Sequence, residues 1–167
     1  MMTGHLDHGG VDVDDVDNGS DDNGSGTGSI LEIAQAFKEA IKDGVRPKRS
    51  IVFLHVSGEE EGLLGSEYYV NNSLYPIDNT FVNINLDMIG RTDPTRGYKD
   101  ENYIYSIGSD RITKKLKTVS ETVNNETVNL KLEYRFDITD EQNAFYERRY
   151  HLNIAKMYVD NGATCLS

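Results

Sequence analysis

Ser50 to Val56 is a nearly continuous apolar run, and it stops abruptly at Ser57-Gly58 and three acids, Glu59 to Glu61. A strand that is apolar at successive positions, not alternate ones, is covered on both faces. That arrangement belongs to parallel sheets lying under helices. The surrounding sequence supplies both kinds of element. Ile30, Ile33, Ala34, Phe37 and Ile41 recur at helical spacing, Ser29 and Glu32 fit a capping box, and Asp43-Gly44 followed by Pro47 ends the helix. Gly62 to Val70 reads as a short helix and Asp110 to Val123 as another. Phe81 to Met88, Tyr103 to Ile107 and Leu130 to Tyr134 read as strands. Residues 9 to 29, rich in Gly, Asp, Asn and Ser, read as a loop. Strands alternating with helices predict an α/β fold with a mostly parallel sheet flanked by helices.

Chain length and charge narrow the function. A chain of 167 residues is enough for one domain with a core. The net charge is -11, with acids concentrated between Asp7 and Asp22, so the basic footprint of a nucleic-acid binder is missing. Carboxylates at that density point to cations. A single cysteine, Cys165, excludes a disulfide framework and a cysteine-based zinc site. The apolar run Ile51 to Val56 is too short to span a membrane. The opening Met-Met-Thr-Gly-His has neither a basic nor an apolar leader region, so no signal peptide is expected.

The chemistry-bearing residues fall at strand ends. Glu59-Glu60 follows one strand, and Asp87 closes another in which Asn85 shares its face. Asp21-Asp22 lies just ahead of a helix. In open α/β sheets, ligands collect at the carboxyl ends of the strands. His5 and Asp7 are two apart, so an extended chain would point both to one side, and a carboxylate beside a ligating imidazole fixes its tautomer. Neighbouring Glu59 and Glu60 diverge, so one can face a metal while the other takes a proton from a metal-bound water. Asp87 is an acid in an apolar setting, which favours a paired or metal-bound carboxylate. Other chemistries fail on spacing. The acidic loop lacks the glycine register of an EF-hand, and there is no Gly-x-Ser-x-Gly or His-Glu-x-x-His. His55, inside the apolar run, reads as a packed core residue, and His8 as lying at the edge of the site.

Five stretches, in order, carry a resemblance: Gly-His-Leu-Asp-His, Asn-Gly-Ser-Asp-Asp-Asn-Gly-Ser-Gly, Pro-Lys-Arg-Ser-Ile-Val-Phe-Leu, Ser-Gly-Glu-Glu-Glu-Gly-Leu-Leu-Gly-Ser and Asn-Leu-Asp-Met-Ile-Gly-Arg. Together they resemble the co-catalytic zinc aminopeptidases, family twenty-eight of the metallopeptidases, over residues 4 to 156. The resemblance implies two zinc ions, with His5 and Asp87 on one, Glu60 on the other and Asp21 bridging. It implies Glu59 as general base, Asp7 as the partner of His5, and peptide or protein N-termini as substrates. The implied fold is a mixed, mostly parallel sheet flanked by helices. Relatives acting by glutaminyl-cyclase-like acyl transfer on one zinc, or surviving as non-catalytic metal-binding domains, are the alternatives. The resemblance is incomplete. Little precedes His5, and residues 145–156 match a near-site segment that places His151 beside the site and not as the last zinc ligand. Residues 157–167 match nothing in the family. The expectation is a single partial peptidase domain with an incomplete second zinc site and weak or no hydrolysis. Relatives are often exported, which leaves the compartment open here.

Overall fold

The computed structural model describes residues 1–96, 101–110, 113–136 and 164–166. In chain order the elements are β1 (Met2–His5), β2 (Gly10–Asp12), β3 (Asp15–Asp17), α1 (Gly24–Lys42), β4 (Phe53–Val56), α2 (Leu64–Asn71), β5 (Val82–Asn85), β6 (Tyr103–Tyr105), α3 (Lys114–Glu126), β7 (Lys131–Glu133) and β8 (Thr164–Leu166). Four strands form the main sheet in the order β4-β1-β5-β8, and every pairing in it is parallel. Antiparallel pairing is confined, among the described residues, to the β2–β3 hairpin. The fold is α/β, as the alternation of elements predicts.

β1 is the central positioning element. It pairs with β4 from Met2↔Phe53 to His5↔Val56 and with β5 at Met2↔Ile84 and Thr3↔Asn85. The chain leaves β1, β4 and β5 at the same edge, so the segments beginning at Leu6, Ser57 and Leu86 converge. Inside the sheet, Asn83 is fully buried and donates to Thr3 Oγ1 at 3.0 Å, and Thr3 Oγ1 donates to Asn85 Oδ1 at 2.8 Å. This polar ladder fixes the register of β1 against β5, because a slip would leave buried polar atoms without partners.

Helix α1 packs on β1 and β4, with Ile30 fully buried and the Phe37 and Phe53 rings 6.2 Å apart. It starts six residues earlier than the Ser29 capping box predicts. Its cap is Asn23, whose Oδ1 accepts from Gly26 N at 2.9 Å and whose Nδ2 donates to Leu86 O at 2.8 Å. The glycines read as a loop are instead the helix's first turn. A Cβ on Gly26 would stand 2.2 Å from Leu86 O, so only glycine lets the helix end approach β5 this closely. The far end stops as predicted, at Asp43 and at Gly44 with φ +86.

The remaining strands are shorter than their sequence runs. Phe53, Leu54 and His55 of β4 are only half-buried, and Val56 alone is buried, so the both-faces-covered expectation holds at one position. His55 Nε2 is enclosed without a hydrogen bond. β6, α3 and β7 make a second parallel βαβ unit, with Tyr103↔Lys131 in register. Asp93 ties the preceding segment to it. Tyr105 Oη donates to its carboxylate at 2.7 Å, Thr95 Oγ1 does so at 2.6 Å, and Arg135 is paired with it. These donors hold Asp93 below the usual carboxylate range, at about 2. Near the end of the chain, β8 pairs with β5 from Val82↔Thr164 to Ile84↔Leu166. His151 lies outside the described residues.

Candidate metal centre

His5, the last residue of β1, is 3% exposed. Its Nδ1 donates to the Asp7 carbonyl at 2.8 Å, which sets the tautomer and turns Nε2 toward the convergent strand ends. Nε2 then lies 3.0 Å from Asp22 Oδ1 and 3.7 Å from Asp87 Oδ1. It is enclosed, yet has no hydrogen bond of proper geometry. A ring nitrogen facing carboxylate oxygens in this way has the orientation of a ligand. Donor atoms of His5, Asp22 and Glu60 all lie within 4.8 Å of one another. One imidazole nitrogen among carboxylates suits a borderline divalent cation such as zinc better than calcium, which takes oxygen alone. The residues present therefore fit such an ion.

Asp21 is not in this group, which corrects its expected bridging position. Its carboxylate faces away, accepting from Gly90 N at 2.7 Å through Oδ1 and pairing with Arg91 Nε at 2.8 Å through Oδ2. Its carbonyl accepts from Ser25 Oγ at 2.7 Å. Adjacent side chains diverge, so fastening Asp21 to the loop after β5 turns Asp22 inward. The cis peptide between Asp22 and Asn23 lies at this point. Sequence reasoning missed Asp22. The signal was Asn23, a helix cap placed by the glycines that follow it.

Asp7 also differs from expectation. Its carboxylate stands 3.7 Å from His5 Nδ1, and the closer partner of that nitrogen is its own backbone carbonyl. The carboxylate instead accepts from Glu59 N at 3.0 Å. Asp7 thus joins the turn after β1 to the turn after β4 and holds both His5 and Glu59.

That second turn is closed by backbone bonds. Gly62 N and Leu63 N both donate to Glu59 O at 2.9 Å, and Leu64 N donates to Gly58 O at 2.8 Å. Glu59 is 5% exposed, and its carboxyl is pushed up to about 7, first by burial and then by the nearby Asp87, Glu60 and Asp22, with His5 opposing. His5 moves up as well, to about 9. Burial works against its charged form, but the nearby Asp87 carboxylate, the Asp7 carbonyl and the charge of Glu59 outweigh it. Without a cation, the cluster holds protons to offset its carboxylates. Glu60 is half-buried, with its Oε1 2.7 Å from His8 Nδ1.

Of the residues expected at the site, His5, Asp7, Glu59, Glu60 and Asp87 come together and Asp21 does not. The arrangement can hold a divalent cation beside a carboxyl that titrates near neutrality.

Known proteins are similar to parts of this sequence. A "Probable zinc metalloprotease" of Pyrenophora tritici-repentis is 34% identical over 103 residues, covering 60% of this chain and 20% of that protein. "Aminopeptidase YwaD" of Bacillus subtilis is 42% identical over 73 residues, covering 43% of this chain and 15% of its own length. "Leupeptin-inactivating enzyme 1" of Streptomyces exfoliatus is 39% identical over 89 residues, covering 51% and 19% respectively. The chain thus spans a fifth or less of the length of these relatives. Among solved structures, LapB from Legionella pneumophila superposes with a TM-score of 0.65 at 19% identity, over 99% of this chain and 39% of LapB, which shows a shared fold. The sequence profile of peptidase family M28 matches residues 1–160, and the chain belongs to that family.

Proposed function

We propose that this chain serves zinc-dependent hydrolysis of peptide bonds, releasing residues from the N-termini of peptides or proteins. The observation that carries the proposal is the convergence of His5, Asp22 and Glu60 donor atoms within 4.8 Å, beside a buried Glu59. Relatives named as zinc metalloprotease and aminopeptidase support both the metal and the reaction. Two zinc ions would share the site, with His5 and Asp87 holding one, Glu60 the other, and Asp22 between them. Zinc bound there would acidify a water molecule and polarise the scissile carbonyl. Glu59 is placed to take a proton from the attacking water and to return it to the leaving amine, a task that would suit a group titrating near the working pH. Asp7 positions Glu59 through its backbone N–H and His5 through the Asp7 carbonyl. Zinc favours a nitrogen donor, so the His5 side would fill first and more tightly, and a weakly filled second site would slow turnover.

The test is an aminoacyl chromogenic substrate with added zinc. Wild-type protein should hydrolyse it slowly. Glu59→Gln should lower that rate by about 10²–10⁴-fold, the usual size of a general-base contribution, with zinc content unchanged. No zinc-dependent hydrolysis by wild-type protein, or an undiminished rate in the variant, would refute the proposal.

A further inference from the structure

The ladder between β1 and β5 stops where the metal centre begins. Ile84 N donates to Met1 O at 3.0 Å and Leu86 N to Thr3 O at 2.9 Å. The next bond of a regular parallel ladder would run from residue 88 to the His5 carbonyl. Met88 instead takes φ +47, a conformation that bulky side chains rarely adopt, and the chain turns away. The donor to His5 O comes from another element: Thr27 Oγ1, in the first turns of α1, reaches it at 2.7 Å. A helical hydroxyl ordinarily bonds back to the carbonyl four residues earlier, as Thr118, Ser120 and Thr122 do in α3. Thr27 spends its one O–H outside its helix, on the carbonyl of a proposed metal ligand.

The same turns of α1 hold the segment around Asp87 from both sides. Asn23 Nδ2 donates to Leu86 O at 2.8 Å, and Ser25 Oγ accepts from Ile89 N at 3.1 Å while donating to Asp21 O at 2.7 Å. Asp87 and the left-handed Met88 thus lie between two fixed points. A backbone conformation of this kind persists only where its surroundings determine it. We infer that the hydroxyls of Thr27 and Ser25 are positioning groups for the cation shared by His5 and Asp87: they set the spacing of the two ligand-bearing segments before any metal arrives. This rests on the zinc reading. Neither side chain touches the ion, and each acts through the backbone of a residue that does.

Zinc titration calorimetry on the intact chain tests this, reading the ion whose binding His5→Ala weakens. Thr27→Val keeps the branched shape and removes the hydroxyl, and Ser25→Ala removes the other. Each should lower that ion's affinity by about 10-fold or more, the lower end of what losing a partner beyond the ligands costs. Thr27→Ser restores the hydroxyl and should bind within about threefold of wild type. Ala34→Gly, about two turns further along α1, loosens the same helix away from the centre and should leave zinc affinity alone. Wild-type affinity in both Thr27→Val and Ser25→Ala would overturn the inference, as would an equal loss in Ala34→Gly, which would make the effect one of helix stability. Amide hydrogen exchange on chelated wild type needs no substitution. The Ile89 amide should exchange at least about 10-fold more slowly than in the unfolded chain, and unprotected exchange would show that the Asp87 segment is not held before metal binds. Failure of the zinc reading looks different: wild type itself takes up no zinc, or its uptake is indifferent to His5→Ala, and the inference falls with it.

Discussion

Asp21 and Asp22 are chemically identical neighbours with opposite tasks, and a single substitution in each separates them. Asp22→Asn removes an anionic donor 3.0 Å from His5 Nε2 and should weaken zinc binding by at least about 10-fold, with little change in the fold. Asp21→Asn should leave zinc affinity within a few-fold of wild type. It weakens the tie to Gly90 N and Arg91 Nε instead, costing about 1 kcal/mol, since Arg91 is largely exposed. Calorimetric zinc titration paired with urea denaturation reads both effects, and equal zinc loss in the two variants would contradict the geometry. The residue types of this centre were legible: His5, Glu59, Glu60 and Asp87 stand where strand ends and motif order put them. Which of two adjacent carboxylates turns inward was not legible. That choice is made by Gly90 and Arg91, about seventy positions away, and by the buried Asn23 cap. The partner of the Asp7 carboxylate was hidden for the same reason, since Glu59 N lies 52 positions along the chain.

At the scale of elements, the start of α1 decides whether the centre forms, because it carries Asp22 into contact with the end of β1. Two glycines in its first turns make opposite predictions. Gly26→Ala would drive a methyl to 2.2 Å from Leu86 O and 2.3 Å from Asn23 Oδ1, both part of the cap that locks helix to sheet. The helix end must retreat, at a cost of about 1–3 kcal/mol, and zinc affinity should fall with stability because Asp22 moves with it. Gly28→Ala meets nothing within 4 Å, so it should stabilise by roughly 0.5–1 kcal/mol through helix propensity and leave zinc binding alone. Thermal melts with and without zinc distinguish the two. A Gly26→Ala protein as stable as wild type would show that the close approach to Leu86 does not matter. The same glycines explain why the helix start was misread. By local propensity a Gly-Ser-Gly-Thr-Gly stretch is a loop, and only the packing against Leu86 makes it helical. Strand identity was easier, since the run before Val56 and the alternation before Leu86 are local signals. Strand β1 and the β2–β3 hairpin carry no such signal, being a four-residue segment and two three-residue segments defined by their pairing.

For the whole molecule, the centre couples folding to pH, and zinc should reverse the sign of that coupling. His5 has its folded value raised from 6.5 to about 9, so the stability it contributes is fully present below 6.5 and is lost as pH rises through 9. Glu59 has its folded value raised from 4.5 to about 7, so the cost of ionising it in place is absent below 4.5 and complete above 7. Both groups bind more protons folded than unfolded, and both slopes point the same way. The metal-free protein should therefore lose stability continuously from about pH 5 to about pH 9 on their account. A cation replaces the His5 proton and offsets the ionised Glu59, Asp22, Asp87 and Glu60, so its binding releases protons and strengthens as pH rises. The binding free energy adds to folding stability, because the unfolded chain has no assembled site. The zinc-induced rise in melting temperature should then be small near pH 6 and largest near pH 9, the reverse of the metal-free trend. The effect should be prominent because buried apolar side chains are few among the described residues, namely Ile30, Val56, Leu63 and Val70, so the charge balance at the sheet edge forms a large share of what holds β1, β4 and β5 together there. Calorimetric scans of chelated and zinc-saturated protein across that range measure both slopes. Parallel slopes would mean that cation and protons do not compete for His5, and the ligand assignment at the end of β1 would be wrong.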